Sequence, residues 1–205
     1  MSSTDILIKV EQAVEQVESA SAAEVVVSFC PSAGVYAEAA LRWSIMFGLA
    51  TVAFLIWSPF HFHAELVPLN VLVMGAVGYL LGRKSWSLRR LVLSEKRLEK
   101  AVEQAARAQF LELGVDQTRE RTGLLLLVCR FERRLFFVPD SKLRKELSPA
   151  FWTEINTNQG RFRSEEELLA GITGLLEKIS GPLARQCPRQ DDDVNELPNR
   201  PVERV

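Results

Sequence analysis

Cysteine is scarce in this sequence, and its scarcity excludes several kinds of site. Cys30, Cys129 and Cys187 are the only cysteines among 205 residues, and their spacing is too wide for a zinc knuckle. An odd number of cysteines cannot pair completely within one chain, which is typical of thiols in a reducing compartment. We therefore predict that Cys30 and Cys129 are small buried side chains in apolar strands.

The sequence also lacks an excess of charge of one sign. Its 25 basic and 26 acidic residues give a net charge of -1, whereas proteins that bind nucleic acids carry a basic face. It contains no P-loop, dinucleotide-binding fingerprint or HExxH motif, and no cysteine is followed by an arginine six positions later. These absences argue against a nucleic-acid partner and against the commonest kinds of catalytic motif.

Long apolar runs, in contrast, are prominent. Residues 43–60 and 66–82 contain no charged residue, and only the segment HFHAE lies between them. Each run is slightly shorter than the roughly 20 helical residues that cross a bilayer, but aromatic residues at the ends can lie at the interfaces. We predict a transmembrane hairpin; a buried helical hairpin of a soluble protein is the alternative.

The positions of lysine and arginine predict the orientation of this hairpin. Arg42 precedes the first run, the connecting turn has no lysine or arginine, and four such residues follow the second run: Arg83, Lys84, Arg89 and Arg90. The positive-inside rule then places both termini in the cytoplasm, with two spans in the cell inner membrane. No cleavable signal peptide is visible. The four basic residues are also candidates for contact with the lipid surface.

Outside the hairpin, helix and strand patterns alternate. We predict helices over 5–19, 142–157 and 165–183, a strand over 24–29, a β-hairpin over 124–138, and a helix of about 25 residues that ends at Gly114. The first helix and strand are too small to bury a core alone. The predicted fold is therefore α/β, a small mixed β-sheet sandwiched by helices and interrupted by the two-helix transmembrane hairpin. The predicted boundaries are 1–36 and 84–185 for the two halves of this domain, 37–83 for the hairpin and 186–205 for a flexible tail.

The predicted β-hairpin carries a charged break between two apolar runs. Residues 124–128 are apolar throughout, which indicates a central strand covered on both faces. A third membrane span would bury Arg130, Glu132, Arg133 and Arg134 at about 2.5 to 3.5 kcal/mol each. We therefore predict that these charges lie on an exposed turn, where Glu132 balances the arginines.

The order and spacing of these elements resemble the TPM domain family, named for TLP18.3, Psb32 and MOLO-1. The segments SAAEVVV at 21–27, RTGLLLLVCRFERRLFFVPD at 121–140 and SPAFWTEI at 148–155 are similar to motifs of that family. The segment GRF at 160–162 continues the likeness. The tail NELPNRP at 195–201 is similar to that of a subgroup whose domain is split by a transmembrane hairpin.

This resemblance implies a mixed sheet between helices, membrane anchoring, and a role in assembling, repairing or modulating membrane complexes. Some members of the family are described as acid phosphatases or calcium binders. The positions that match the family's core hairpin are Arg121, Thr122, Gly123, Arg133 and Asp140. The chain departs from the family at 140–142, where DSK replaces the frequent DRG and removes a glycine that close ligand approach uses.

Two groups of residues are candidate metal ligands. Asp116, Glu120 and Asp140 lie in predicted loops, and carboxylate oxygens are the ligands that Ca²⁺ and Mg²⁺ prefer. They are the candidates for a metal-dependent phosphatase, and solvated loop and cap residues are the alternative. His61, His63 and Glu65 in the turn of the hairpin could bind zinc or copper if a second copy completed the ligand set, as in a metal sensor. No other cofactor is predicted.

Two further segments are candidates for contact with other proteins. The second apolar run has a small-residue surface for close helix packing, against the first run or a partner's span: Asn70, Gly75, Gly78 and Gly82. The tail offers Asn195, Glu196, Leu197, Pro198 and Pro201. We predict an accessory, assembly or modulating subunit of a larger membrane protein complex. A metal-dependent acid phosphatase and a metal sensor are the alternatives.

Overall fold

The computed structural model describes residues 3–59, 63–157, 162–189, 196–197 and 200–203. The elements follow one another as α1 (Ser3–Ala20), β1 (Glu24–Cys30), α2 (Ala37–Trp57), α3 (Val67–Lys84), α4 (Trp86–Val92), α5 (Glu95–Glu112), β2 (Gly123–Cys129), β3 (Arg134–Pro139), α6 (Ser141–Glu146), α7 (Pro149–Thr157), α8 (Glu165–Gln186) and β4 (Val202–Glu203).

The chain forms two compact units. One unit runs Gly34–Leu98, and the other, which contains the sheet, is built from the chain on either side of it. The first unit extends past the predicted hairpin of 37–83, because α4 packs against both α2 and α3. We call them the hairpin unit and the α/β unit.

The α/β unit is organised around a four-stranded mixed sheet in the order β3-β2-β1-β4. β1 and β2 are parallel and in register from Glu24–Gly123 to Cys30–Cys129, and β3 runs antiparallel to β2. Every residue of β1 and β2 is buried, as expected for central strands covered on both faces. The predicted fold class, a small mixed sheet sandwiched by helices, is confirmed.

Alternate residues of the strands enter two separate cores, because successive side chains of a strand point to opposite faces. Val25 and Val27 belong to a core that includes buried residues of α1 and α8. Val26 and Cys30 belong to the core on the other face, together with buried residues of α5. Cys30 and Cys129 are buried free thiols, as predicted, with their Sγ atoms 3.1 Å apart.

Two predicted helices are each interrupted. The helix predicted to end at Gly114 is divided into α4 and α5, because Leu93 is extended and the carbonyl of Ser94 starts a new helix by accepting from Arg97. The helix predicted over 142–157 is divided into α6 and α7 at Pro149. Proline suits the first position of a helix but disfavours helical conformation in the residue before it.

The turn between β2 and β3 differs from the prediction at Glu132. This side chain is fully buried, although Arg133 beside it is exposed. Its Oε1 accepts hydrogen bonds from the backbone N–H of Ala33 at 2.9 Å and from Ser32 Oγ at 3.2 Å. The loop after β1 therefore provides its partners, and the prediction that Glu132 only balances charges on an exposed turn is wrong.

The flexibility that composition predicts for the C-terminal segment stays a prediction, but the described residues of this segment make contacts within the α/β unit. Its described residues follow the edge of β1, where β4 pairs with β1 in parallel and Pro201 is buried. The N–H of Leu197 donates to Glu24 Oε2 at 3.3 Å, and Glu196 Oε2 accepts from the N–H of Arg119 at 3.0 Å. These predicted partner-contact residues thus contact their own α/β unit. Two others lie outside the described residues: Asn195 and Pro198.

Two helices of the hairpin unit are long and apolar enough to cross a membrane, Ala37–Trp57 and Ala64–Lys84. Only 17% and 11% of the residues in their most apolar windows are buried, whereas a core helix of a soluble protein is mostly buried. Large side chains such as Ile45, Phe54 and Leu72 are exposed. This pattern favours the transmembrane hairpin over the soluble alternative.

Candidate functional site

The predicted carboxylate ligands lie in loops at one end of the sheet, but each has a different environment. Asp116 lies in a short 3-10 turn, with a buried Oδ1 that has no hydrogen-bond partner. Asp140 caps α6 by accepting from the N–H of Ser141, and its Oδ2 is buried without such a partner. Glu120 pairs with the ammonium of Lys142, whose hydrogen bond lowers the pKa of this carboxyl.

Among the described residues, these carboxylates are not gathered into a group that could hold a calcium or magnesium ion. Glu120 already forms an ion pair with Lys142, and the guanidinium of Arg121 donates a hydrogen bond to the backbone oxygen of Asp116. In the part of the chain that the structure describes, no three His, Cys, Asp or Glu side chains form a group that could hold a metal ion. Binding of calcium or magnesium by Asp116, Glu120 and Asp140 therefore stays a prediction.

The family-motif residues lie at both ends of the sheet. Gly123 accepts from the N–H of Asp140 at 2.9 Å, and the N–H of Thr122 donates to Thr118 Oγ1 at 3.1 Å. Arg121 has a positive φ of 58° immediately before β2. Arg133 also has a positive φ, 54°, but it belongs to the turn at the far end of β2. The structure therefore brings Arg121, Thr122, Gly123 and Asp140 together and leaves Arg133 apart.

Glu18, at the end of α1, is a titratable group that the sequence did not indicate. Burial raises its pKa from the ordinary value of 4.5 to about 7, although the N–H of Val25 donates to its Oε1 at 2.9 Å. Nearby Glu24 and Glu15 raise this pKa further, and Arg189 lowers it. The folded protein therefore holds a proton between about pH 4.5 and 7 that the unfolded chain has already lost.

Because the folded pKa is the higher one, the free energy of unfolding should fall as the pH rises through this window. Replacing Glu18 with glutamine keeps an acceptor for Val25 and removes the titration. We expect Glu18→Gln to be more stable than wild type by about 1 to 2 kcal/mol above pH 8, a value reduced for partial exposure of the carboxyl. Urea unfolding of both proteins across the window measures this, and parallel pH curves would contradict it.

The histidine turn of the hairpin unit is described only in part. His63 and Glu65 are exposed, with Glu65 in a 3-10 turn (Ala64–Leu66), whereas His61 lies outside the described residues. A metal site formed there with a second copy stays a prediction.

The small-residue surface of α3 faces α2 of the same chain. A Cβ on Gly78 would lie 2.6 Å from the carbonyl oxygen of Trp43, and one on Gly82 would lie 3.0 Å from the Cα of Ala40. Gly75 faces Ser44. These glycines therefore pack within the hairpin unit, and their contact with a partner's span stays a prediction. Asn70 is exposed, and its Nδ2 donates to the carbonyl of Leu66 at 3.0 Å.

A cleft of about 430 Å³ opens at the edge of β3 in the α/β unit. Its base is the strand from Phe136 to Pro139, and its walls come from α5 and α7: Glu99, Glu103, Arg107, Pro149, Trp152, Thr153, Asn156 and Thr157. Arg144 also lines the cleft and donates to the carbonyl of Pro139 at 3.2 Å. An edge strand flanked by an aromatic side chain and charged groups can bind an extended polypeptide segment by backbone pairing.

Inside this cleft, the side chain of Asn156 forms hydrogen bonds with the backbone at the outer edge of β3. Its Oδ1 accepts from the N–H of Phe137 at 2.8 Å, and its Nδ2 donates to the carbonyl of Phe137 at 3.0 Å. The side-chain amide thus takes the place of a neighbouring strand. No motif in the sequence indicated Asn156 as a functional residue, although it directly follows the tryptophan helix motif at 148–155 and lies four residues after Trp152.

We expect Asn156→Ala to lower the free energy of unfolding by about 1 kcal/mol, because water in the open cleft can replace most of the lost bonding. The amide hydrogen of Phe137 should then exchange about tenfold faster, which hydrogen exchange with mass spectrometry measures. Thr157→Ala, on the same helix, is the control. Unchanged exchange at Phe137 would show that Asn156 does not protect the strand edge.

Comparison with known proteins supports the fold. No protein-family model matches the chain, and no curated protein sequence matches it significantly. The chain is similar to the NMR structure of the BA42 protein from the psychrophilic bacterium Bizionia argentinensis, with a TM-score of 0.58 and 14% sequence identity. The similarity covers 98% of this chain and 94% of that one. At this identity the likeness shows a shared fold and nothing about function.

Proposed function

We propose that this chain is a membrane-anchored, TPM-like interaction module, an accessory, assembly or modulating subunit of a larger membrane protein complex. The observation that carries the proposal is the place of α2 and α3, two outward-facing apolar helices inserted between the segments that build one α/β unit. Because the α/β unit is joined to both ends of the hairpin, a membrane that holds these helices also tethers the domain.

The basic residues support an inner-membrane orientation with both termini in the cytoplasm. Arg42 lies in the first part of α2, and Arg83 and Lys84 form the last turn of α3, so they share one end of the antiparallel hairpin. The described residues of the connecting turn, 58–59 and 63–66, include no lysine or arginine. By the positive-inside rule, the end of the hairpin that carries the lysine and arginine residues stays on the cytoplasmic side of the membrane.

The cleft at the edge of β3 supports an interaction role for the α/β unit. It combines the edge strand β3, the ring of Trp152 and charged side chains from α5, which together suit a polypeptide better than a small apolar ligand. An extended segment of a membrane partner could pair with β3 in place of Asn156.

Purification of the full chain from its native membranes in mild detergent, with mass spectrometry of co-purifying proteins, tests the proposal. We expect a stoichiometric membrane partner with wild type, and its loss with Thr153→Arg, which places a long charged side chain at the cleft. The matched control is Ala150→Arg on the same helix, exposed but outside the cleft. A chain that purifies alone from native membranes, or a partner that both variants retain, would contradict an interaction through the cleft.

A further inference from the structure

The short helix α4 at the end of the hairpin carries large apolar side chains outward. Trp86 is 49% exposed and Leu91 is 74% exposed. The helix is held against the start of α2, since the Nε1–H of Trp43 donates to the carbonyl of Leu88 at 2.8 Å and Arg42 donates to that of Val92. The apolar side chains of α4 are therefore fixed at one end of the two long apolar helices.

Basic side chains lie at the same end of the hairpin unit. Arg83 and Lys84 are exposed in the last turn of α3, and Arg89 and Arg90 belong to α4 itself. Gly82 lies against Ala40 of α2, which places the end of α3 beside the start of α2. Tryptophan, leucine and basic side chains thus form a band next to the apolar surface of the hairpin.

We propose that α4, together with Arg83 and Lys84, lies in the headgroup layer of a membrane leaflet that contains anionic phospholipid. This inference rests on the membrane anchoring in the proposed function and adds the class of lipid. Trp86 and Leu91 occupy the boundary between headgroups and acyl chains, where indole rings and amphipathic helices partition. The basic side chains draw anionic headgroups to the helix. The charge of the band and its continuity with the apolar surface favour lipid over a protein surface as the occupant.

Fluorescence quenching of the full chain in vesicles tests this proposal. Two vesicle preparations are compared, each with equal amounts of phosphatidylcholine and phosphatidylglycerol. In one preparation the phosphatidylcholine carries bromine on its acyl chains, and in the other the phosphatidylglycerol does. The contribution of Trp86 is the difference between wild type and Trp86→Phe. We expect quenching in both vesicles, about twofold greater when phosphatidylglycerol is brominated. Arg83→Gln with Lys84→Gln should reduce this preference, because only Arg89 and Arg90 of the four remain, whereas Lys9→Gln with Lys145→Gln, which removes the same charge from α1 and α6, should leave it unchanged.

The contribution of Trp57, measured with Trp57→Phe, separates this proposal from the anchoring itself. Quenched Trp57 with unquenched Trp86 would place the hairpin in the bilayer and α4 outside it, overturning the inference alone. Equal quenching of Trp86 by the two lipids would overturn the anionic preference. Release of the chain from its native membranes by alkaline carbonate would overturn the membrane anchoring, and this inference with it.

Discussion

Replacing Gly123 with alanine is expected to lower the free energy of unfolding of the α/β unit by about 3 to 5 kcal/mol. A Cβ at Gly123 would lie 2.0 Å from the carbonyl oxygen of Val115, 3.0 Å from its carbonyl carbon and 2.9 Å from its Cγ1. The first two atoms belong to the backbone, so no rotamer change relieves the overlap. Val115 is itself fully buried in a core, and β2 is buried along its whole length.

Gly174 in α8 provides the control, because nothing lies within 4 Å of the Cβ that alanine would add there. Gly174→Ala should be neutral or stabilising by about 0.5 to 1 kcal/mol, since alanine is the better helix former. Urea unfolding of the full chain in detergent, followed by circular dichroism, measures both variants. If Gly123→Ala unfolds like Gly174→Ala, the loop before β2 does not approach the strand as closely as the structure shows.

The same glycine shows what the sequence could predict and what it could not. The apolar run that follows Gly123 predicted a buried central strand, because a strand covered on both faces needs no polar residue. The close approach of Val115 depends on how the segment after α5 returns to the sheet. No periodicity in the sequence reports that path, although a glycine at the start of a strand is a frequent signal of close backbone approach.

The burial of Glu132 and the contacts of the C-terminal segment were not predicted, for one shared reason. Both are polar by local composition, and both gain their partners from β1 or the loop after it, about 100 or more residues away in the sequence. Glu132 can be buried because its carboxylate accepts a hydrogen bond from the N–H of Ala33. The charged C-terminal segment can cover the edge of β1 because its Leu197 and Val202 pack against the core. Local composition cannot report either partner.

The candidate cleft was equally hidden, because α5, β3 and α7 contribute to it from separate parts of the chain. The sequence did indicate the tryptophan helix, but it did not indicate that Asn156 faces a strand edge. The candidate carboxylates show the opposite case. Their position in loops was predicted, whereas the pairing of Glu120 with Lys142 was not.

Replacing Gly78 with alanine is expected to separate α2 from α3 and to lower the stability of the hairpin unit by about 2 to 3 kcal/mol. The added Cβ would lie 2.6 Å from the carbonyl oxygen of Trp43 and 2.8 Å from the Cβ of Phe47. The rings of Trp43 and Phe47 pack edge to face, with centroids 6.1 Å apart, so the displacement also disturbs an aromatic contact. The emission of Trp43, obtained by subtraction of a Trp43→Phe variant, should change as the helices separate.

Gly48 is the matched control on α2, because a Cβ there would make an ordinary contact at 3.7 Å with Val71 Cγ1. Gly48→Ala should unfold at the wild-type temperature in detergent, and Gly78→Ala at a lower one. Equal unfolding temperatures, combined with loss of a co-purifying membrane protein only in Gly78→Ala, would contradict the packing described above. Gly78 would then contact a partner's span, as one reading of the sequence predicted, and α2 and α3 would pack differently in the membrane.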